Sequence, residues 1–95
     1  MEKIFNNNTI RFEAKFYDFD DKLVDPSLVK MIFYDYKQNK MSEHVLAPAN
    51  RVSVGSYFFD YTFEIAPKEI IYYEWYSEID SKVSLYRDKI VFSFA

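Results

Sequence analysis

Apolar and polar side chains alternate along much of this 95-residue chain, and a period of two is typical of β-strands. In residues 9–17 an apolar side chain takes every second position from Ile10 onward, with mostly charged side chains between them. Residues 56–65 and 70–80 alternate in the same way. These segments are predicted to be strands with one face in the core and one face in water.

Three further segments carry weaker strand patterns. Residues 28–36 are rich in β-branched and aromatic side chains and show no helical stripe, which favours a strand. Residues 85–94 alternate towards the end of the chain, and residues 41–47 are a weak candidate. The polar segments between the strands are predicted to be turns or loops: 18–22, 37–40, 47–55 and 81–84, with 23–24 as a short extended piece.

The predicted core consists of large apolar side chains on the inner faces of these strands. Its members are Phe12, Phe16, Tyr57, Phe59, Tyr73, Trp75 and Phe92. Gly55 is the only glycine of the chain. We expect it where the backbone needs a positive φ or where two segments pack closely.

Five clear strands and one or two weaker ones, joined by short polar turns, predict two antiparallel sheets packed face to face. The predicted fold is therefore all-β, an immunoglobulin-like antiparallel β-sandwich of about six to seven strands. A small barrel is the alternative, although barrels of this size usually need more glycine at their corners. The chain length fits a single domain over residues 1–95, with residues 1–8 as a candidate flexible arm.

Composition excludes most familiar catalytic chemistry. The chain has no cysteine and one histidine, which removes disulfide frameworks, thiol catalysis, Cys-based zinc sites and iron–sulfur ligation. The net charge of −3 has the wrong sign for nucleic-acid binding, and no apolar run approaches the ~18 residues of a membrane span. The sequence therefore predicts no enzyme, no cofactor, no nucleic-acid partner and no membrane partner.

Three polar features are candidate sites. The carboxylates Asp18, Asp20, Asp21 and Asp25 have the chemistry of a calcium site, but the glycine and final glutamate of an EF-hand loop are absent. A solvated turn in which aspartates bind local amides is the preferred interpretation.

His44 is next to Glu43 in the sequence. It could be half of a proton-transfer pair, a lone metal ligand or a plain surface residue, and the last interpretation is favoured. Glu74 and Glu78 share one face of a strand and are interpreted as exposed solubilising charges.

An unusual number of aromatic side chains is predicted to point away from the core. These candidate interface residues are Ile32, Tyr34, Tyr36, Phe58, Tyr72 and Tyr76. Tyrosine-rich apolar surface is typical of protein–protein contacts. The alternatives are that loops cover these side chains, that the face of one strand is misassigned, or that the rings form a platform for sugars.

Several motifs resemble those of small immunoglobulin-like β-sandwich proteins that tailed bacteriophages encode among their virion structural components. The motifs are the strand and acidic turn over residues 16–21, residues 24–27, residues 54–61, the Tyr73–Trp75 triplet and the closing segment 87–94. Lys22 stands in the first turn where a glycine is common in such proteins.

The resemblance implies a non-enzymatic structural protein: a capsid auxiliary or head-decoration protein, a head–tail connector or a tail accessory protein. It implies protein–protein interaction with other virion proteins, including a homo-oligomer or ring, and a location in the virion after synthesis in the host cytoplasm without a signal peptide. Unpaired edge strands would offer a further docking mode through β-augmentation. The alternative function is a carbohydrate- or ligand-binding module of a cell-surface or secreted assembly.

Overall fold

Eight β-strands and one turn of 3-10 helix make up the regular structure of the described part of the chain. The computed structural model describes residues 3–4, 9–63 and 70–91. In chain order the elements are β1 (Lys3–Ile4), β2 (Thr9–Lys15), β3 (Leu28–Tyr34), β4 (Lys40–Val45), the 3-10 turn (Pro48–Asn50), β5 (Arg51–Ser53), β6 (Ser56–Thr62), β7 (Ile70–Ile79) and β8 (Lys82–Val91).

The strands form two antiparallel sheets, in the orders β1-β2-β6-β5 and β4-β3-β7-β8. This is the strand order of an immunoglobulin-like sandwich, with one extra strand, β4, beside the third. Because the described strands divide into two separate sheets rather than closing on one another, the fold is a sandwich and the barrel alternative is wrong. The predicted all-β fold class is confirmed.

Aromatic side chains from both sheets meet in the core. The ring centroid of Phe12 lies 5.3 Å from that of Phe33 and 4.8 Å from that of Tyr73, and Phe16 lies 6.1 Å from Trp75. These tilted and edge-on contacts bury large apolar areas, with geometries that aromatic rings prefer. Phe33 of β3 is fully buried and contacts the rings of Phe12 and Tyr61 from the opposite sheet.

The predicted core residues are found at this interface where the structure describes them. Phe12, Phe16, Tyr73 and Trp75 are buried, and Tyr57 and Phe59 are half-buried and pack against them. Phe92 lies outside the described residues. The alternation along β2 and β7 places these side chains on the inner faces, as a period of two requires.

Two predicted loop segments are strands. Asp80 and Ser81 have φ of 51° and 63° and form a two-residue turn that joins β7 to β8, so β8 begins at Lys82 rather than at residue 85. β5 lies inside the predicted loop 47–55. Both errors have one cause: β5 and the first half of β8 are exposed on both faces, so no buried face produces an alternating pattern.

Gly55 lies where three segments of the sandwich come together. Its φ is +72°, and a Cβ there would lie 2.9 Å from the Phe16 carbonyl oxygen and 3.0 Å from the Val24 nitrogen. The Phe16 amide donates a 2.8 Å hydrogen bond to the Gly55 carbonyl, and the Val24 amide donates to the Phe16 carbonyl at 3.0 Å. Both expectations for this glycine, a positive φ and close packing, are met.

We predict that Gly55→Ala lowers the free energy of unfolding by about 2–4 kcal/mol, because alanine at this φ is strained and its methyl group meets main-chain atoms. Urea denaturation monitored by Trp75 fluorescence measures the loss. Val54→Ala, at an exposed neighbouring position, is the control and is expected to change stability little. A loss below about 1 kcal/mol for Gly55→Ala would contradict the prediction.

Candidate interaction surfaces

The outer face of the β4-β3-β7-β8 sheet carries a hydrogen-bonded network around a buried carboxylate. Glu74 is only 8% exposed. Arg87 donates from Nε and Nη2 to Glu74 Oε1 at 3.1 and 2.9 Å, and the Tyr34 hydroxyl donates to Oε2 at 3.4 Å. The Arg87 guanidinium also lies 4.3 Å from the Tyr34 ring centroid. The expectation that Glu74 is an exposed solubilising charge is therefore wrong, because Arg87 from β8 covers it.

A second set of cations covers the other end of this face. Lys30 Nζ lies 5.2 Å from the Tyr76 ring centroid and 3.4 Å from Glu43, which also pairs with Lys40. The Tyr76 hydroxyl donates to Glu78 at 3.0 Å, and this hydrogen bond raises the pKa of Tyr76. The ring faces of Tyr34 and Tyr76 are thus in contact with charged side chains of the same chain.

The six predicted interface residues do not form one surface. Tyr34, Tyr72 and Tyr76 are half-buried on this outer face, whereas Phe58 lies on the outer face of the other sheet with the Arg11 guanidinium 4.5 Å above its ring. The alternation assigns a side chain to an outer face without telling which sheet the strand joins. The grouping of Phe58 with the β3 and β7 tyrosines is therefore wrong.

Two other members of the set also differ from expectation. Ile32 is 7% exposed and offers almost no surface, because Glu43 and Glu74 lie directly opposite it on the two neighbouring strands and long side chains cover it. Tyr36 lies beyond the end of β3 in a turn, with the Lys37 ammonium 5.5 Å from its ring centroid.

In the acidic turn, the Asp18 carboxylate accepts hydrogen bonds from main-chain amides of the turn itself. Asp18 Oδ1 accepts hydrogen bonds from the amides of Asp20 and Lys22 at 2.8 and 3.0 Å. Asp21 adopts the positive φ of 59° that a glycine often supplies, so the turn closes with Lys22 in place. Among the described residues, no three His, Cys, Asp or Glu side chains are placed to hold a metal ion.

Asp25 ties the segment after this turn to β5 and β6. It pairs with Arg51 at 3.1 Å, and Oδ1 accepts from the Gly55 amide at 2.9 Å and from the Tyr57 hydroxyl at 3.2 Å. Arg51, the Gly55 amide and the Tyr57 hydroxyl lower the pKa of Asp25. Burial and the bond to Asp25 raise the pKa of Tyr57.

His44 and Glu43 do not form a proton-transfer pair, because adjacent strand residues point to opposite faces. Glu43 pairs with lysines on the outer face. The His44 ring lies 5.1 Å from Phe59 and 5.3 Å from Tyr61, and its Nε2 is 3.0 Å from Ser42 Oγ. The histidine is half-buried beside the aromatic core rather than a plain surface residue.

A groove of about 590 Å³ opens along one side of the sandwich, where β8 extends past β2. Residues 13–17 form one wall, and Ser84, Tyr86 and Asp88 of β8 line the other. Tyr73 and Trp75 of β7 contribute to the groove between the walls. In the described part of the chain, β1, the strand beside β2, pairs with Ile10 and Arg11, and no described strand lies beside residues 13–15 on that side.

Exposed apolar side chains collect along this groove and its extension towards the β7–β8 turn. Tyr17, Phe19, Val83 and Tyr86 are each at least half exposed and line the groove or the smaller hollow that continues it. Phe19 is the most exposed of them, at 82%, with Lys82 Nζ 4.9 Å from its ring centroid. The alternation does not reveal this patch, because Tyr17 lies at the end of a predicted strand, Phe19 in a predicted turn and Val83 in a predicted connector.

We predict that Arg87→Met lowers the free energy of unfolding by about 1–3 kcal/mol, because it leaves the buried Glu74 carboxylate without its charged partner. The double variant Glu74→Met with Arg87→Met should recover most of that loss, because no uncompensated charge remains. Chemical denaturation of the three chains measures both values. A double variant as unstable as Arg87→Met alone would contradict this account.

We predict that Asp25→Asn destabilises the fold near neutral pH and that the deficit disappears in acid. The folded-state pKa of Asp25 lies below its unfolded value, so its contribution is present above the unfolded pKa and is lost as pH falls through the folded pKa. Thermal melts between about pH 7 and pH 2 test this. Asp20→Asn is the control, and an Asp25→Asn deficit of equal size at every pH would contradict the prediction.

No helix in the described part of the chain is long and apolar enough to cross a membrane. Comparison of the chain with models of known protein families, with curated protein sequences and with solved structures finds no match. The fold and the two surfaces described above are therefore the basis for a functional conclusion.

Proposed function

We propose that this protein is a non-enzymatic structural subunit that binds other proteins, and that its partners are components of a tailed-phage particle. The observation that carries the first part is the collection of exposed apolar side chains along the β2–β8 groove. The resemblance of its strand and turn motifs to small phage virion sandwiches supports the second part. The particle location is a capsid auxiliary, head–tail connector or tail accessory position.

Burial of these side chains supplies the driving force for docking. Each square ångström of apolar surface removed from water contributes about 25 cal/mol, and contiguous apolar surface on a soluble domain marks a contact site. Two of the four side chains, Tyr17 and Tyr86, are tyrosines, which provide large contact area at small entropic cost. The groove also offers the concave shape that a partner side chain can fill.

The outer sheet faces are poorer candidates for the docking surface. Arg87, Lys30 and Arg11 lie over the rings of Tyr34, Tyr76 and Phe58. A sugar stacking on those rings would first have to displace a cation from each ring face. The geometry therefore favours protein docking at the groove over a carbohydrate-binding platform.

Co-sedimentation tests this function. The wild-type chain, produced with the phage that encodes it, is expected to migrate with intact particles in a density gradient. The double variant Phe19→Ser with Tyr17→Ser should reduce the particle-bound fraction at least about tenfold, because it removes apolar contact area at the groove.

Val52→Ser is the matched control, because Val52 is also well exposed but lies on β5, at the edge of the β2 sheet that is far from the groove. It should leave the bound fraction unchanged. A wild-type chain that stays at the top of the gradient in every preparation would overturn the proposed function.

A further inference from the structure

We infer that the β2–β8 groove binds one extended strand of a partner protein, which pairs antiparallel with β2 at Glu13 and Lys15. This inference deepens the proposed function and rests on it. It differs from a general apolar contact because it specifies main-chain pairing, a direction and a side-chain pattern. Three features of the described residues carry it.

The first feature is a row of main-chain hydrogen-bonding groups on β2 that no described strand faces. The Phe16 amide donates to Gly55, on the β6 side, so the even-numbered residues of β2 direct their main-chain groups towards β6. In an antiparallel ladder the odd-numbered residues then direct theirs to the other side. There β1 pairs opposite Arg11, and no described strand lies opposite Glu13 or Lys15.

The second feature is the continuity of this row with an existing ladder. β1 pairs antiparallel with β2, with Lys3 opposite Arg11 and Ile4 opposite Ile10. A strand in the groove would continue the same position in the sheet, so it would also run antiparallel to β2. Main-chain pairing of this kind supplies affinity, and alternate side chains supply specificity.

The third feature is a difference in chemistry between the two ends of the groove. Glu13 and Asp88 line one end, and Asp88 forms no ion pair with any residue in the described part of the chain. Tyr17 and Ser84 lie at the other end, next to Phe19. Lys15 lies between the two ends.

These ends define the pattern of the partner strand. Asp88 lies four positions after Ser84 on β8, a distance of roughly 13 Å. A strand antiparallel to β2 enters at the Tyr17 end and leaves at the Glu13 end. Its matching pattern is an apolar residue followed four positions later by lysine or arginine, both facing the groove.

The test uses two synthetic peptides of identical composition. The first is acetyl-Thr-Val-Thr-Val-Thr-Lys-Thr-amide, which carries valine first and lysine four positions later. The second, acetyl-Thr-Lys-Thr-Val-Thr-Val-Thr-amide, reverses the pattern. Amide hydrogen exchange is measured by NMR on the full chain. The first peptide should lower the exchange rates of the Glu13 and Lys15 amides at least about tenfold. The second peptide should bind at least about tenfold more weakly than the first.

Two variants of β8 distinguish peptide binding in the groove from binding on the other face of this strand. Tyr86 and Leu85 are adjacent and almost equally exposed, at 58% and 59%, but point to opposite faces of the strand. Tyr86→Ala should weaken binding of the first peptide about tenfold, and Leu85→Ala should leave it unchanged. Equal loss in both variants would overturn the inference.

Four further outcomes would also overturn it. The first is equal binding of the two peptides, and the second is no slowing of exchange at the Glu13 and Lys15 amides when peptide is added. The third is slow exchange of these amides without peptide at every protein dilution. The fourth is slow exchange without peptide that appears only as the protein concentration rises. The third outcome means that the chain's own segment fills the groove, and the fourth means that a second copy does. If the Tyr86→Ala chain still co-sediments with particles, the proposed function stands but the strand-binding site does not.

Discussion

The packing of Phe12 between Phe33 and Tyr73 determines how the two sheets overlap. These rings join β2 of one sheet to β3 and β7 of the other, with centroid separations of 5.3 and 4.8 Å. Because β2 packs over β7, β8 lies opposite the position beside β2, which β1 fills only at Ile10 and Arg11 in the described part of the chain. The groove between residues 13–17 and β8 follows from this arrangement.

The two sides of β8 meet different environments as a result. On its outer side, Arg87 reaches across to Glu74 and covers a carboxylate that would be costly to bury alone. On its inner side, Tyr86 and Asp88 face a groove instead of a second sheet. The outer side of β8 therefore pairs the buried Glu74 carboxylate within the chain, while Tyr86 on the inner side stays more than half exposed.

A period of two was sufficient to predict strands wherever one face is buried. Phe12 and Phe16 on β2, and Tyr73 and Trp75 on β7, lie in the core for this reason. The same reasoning failed at β5 and at the start of β8, whose side chains are exposed on both faces, and it could not place Phe58 on the correct sheet. Glu74 was misjudged because its partner, Arg87, lies 13 residues away in sequence.

By itself, the sequence determined the fold class, the inner faces of the central strands and the position that only glycine fits. The reason is that burial and backbone conformation restrict the residue type at each individual position. Only the tertiary structure decided which charges cover which rings and where the sandwich stays open. Those properties depend on which distant strands pair and on which strands of the two sheets face each other, and neither produces a local pattern in the chain.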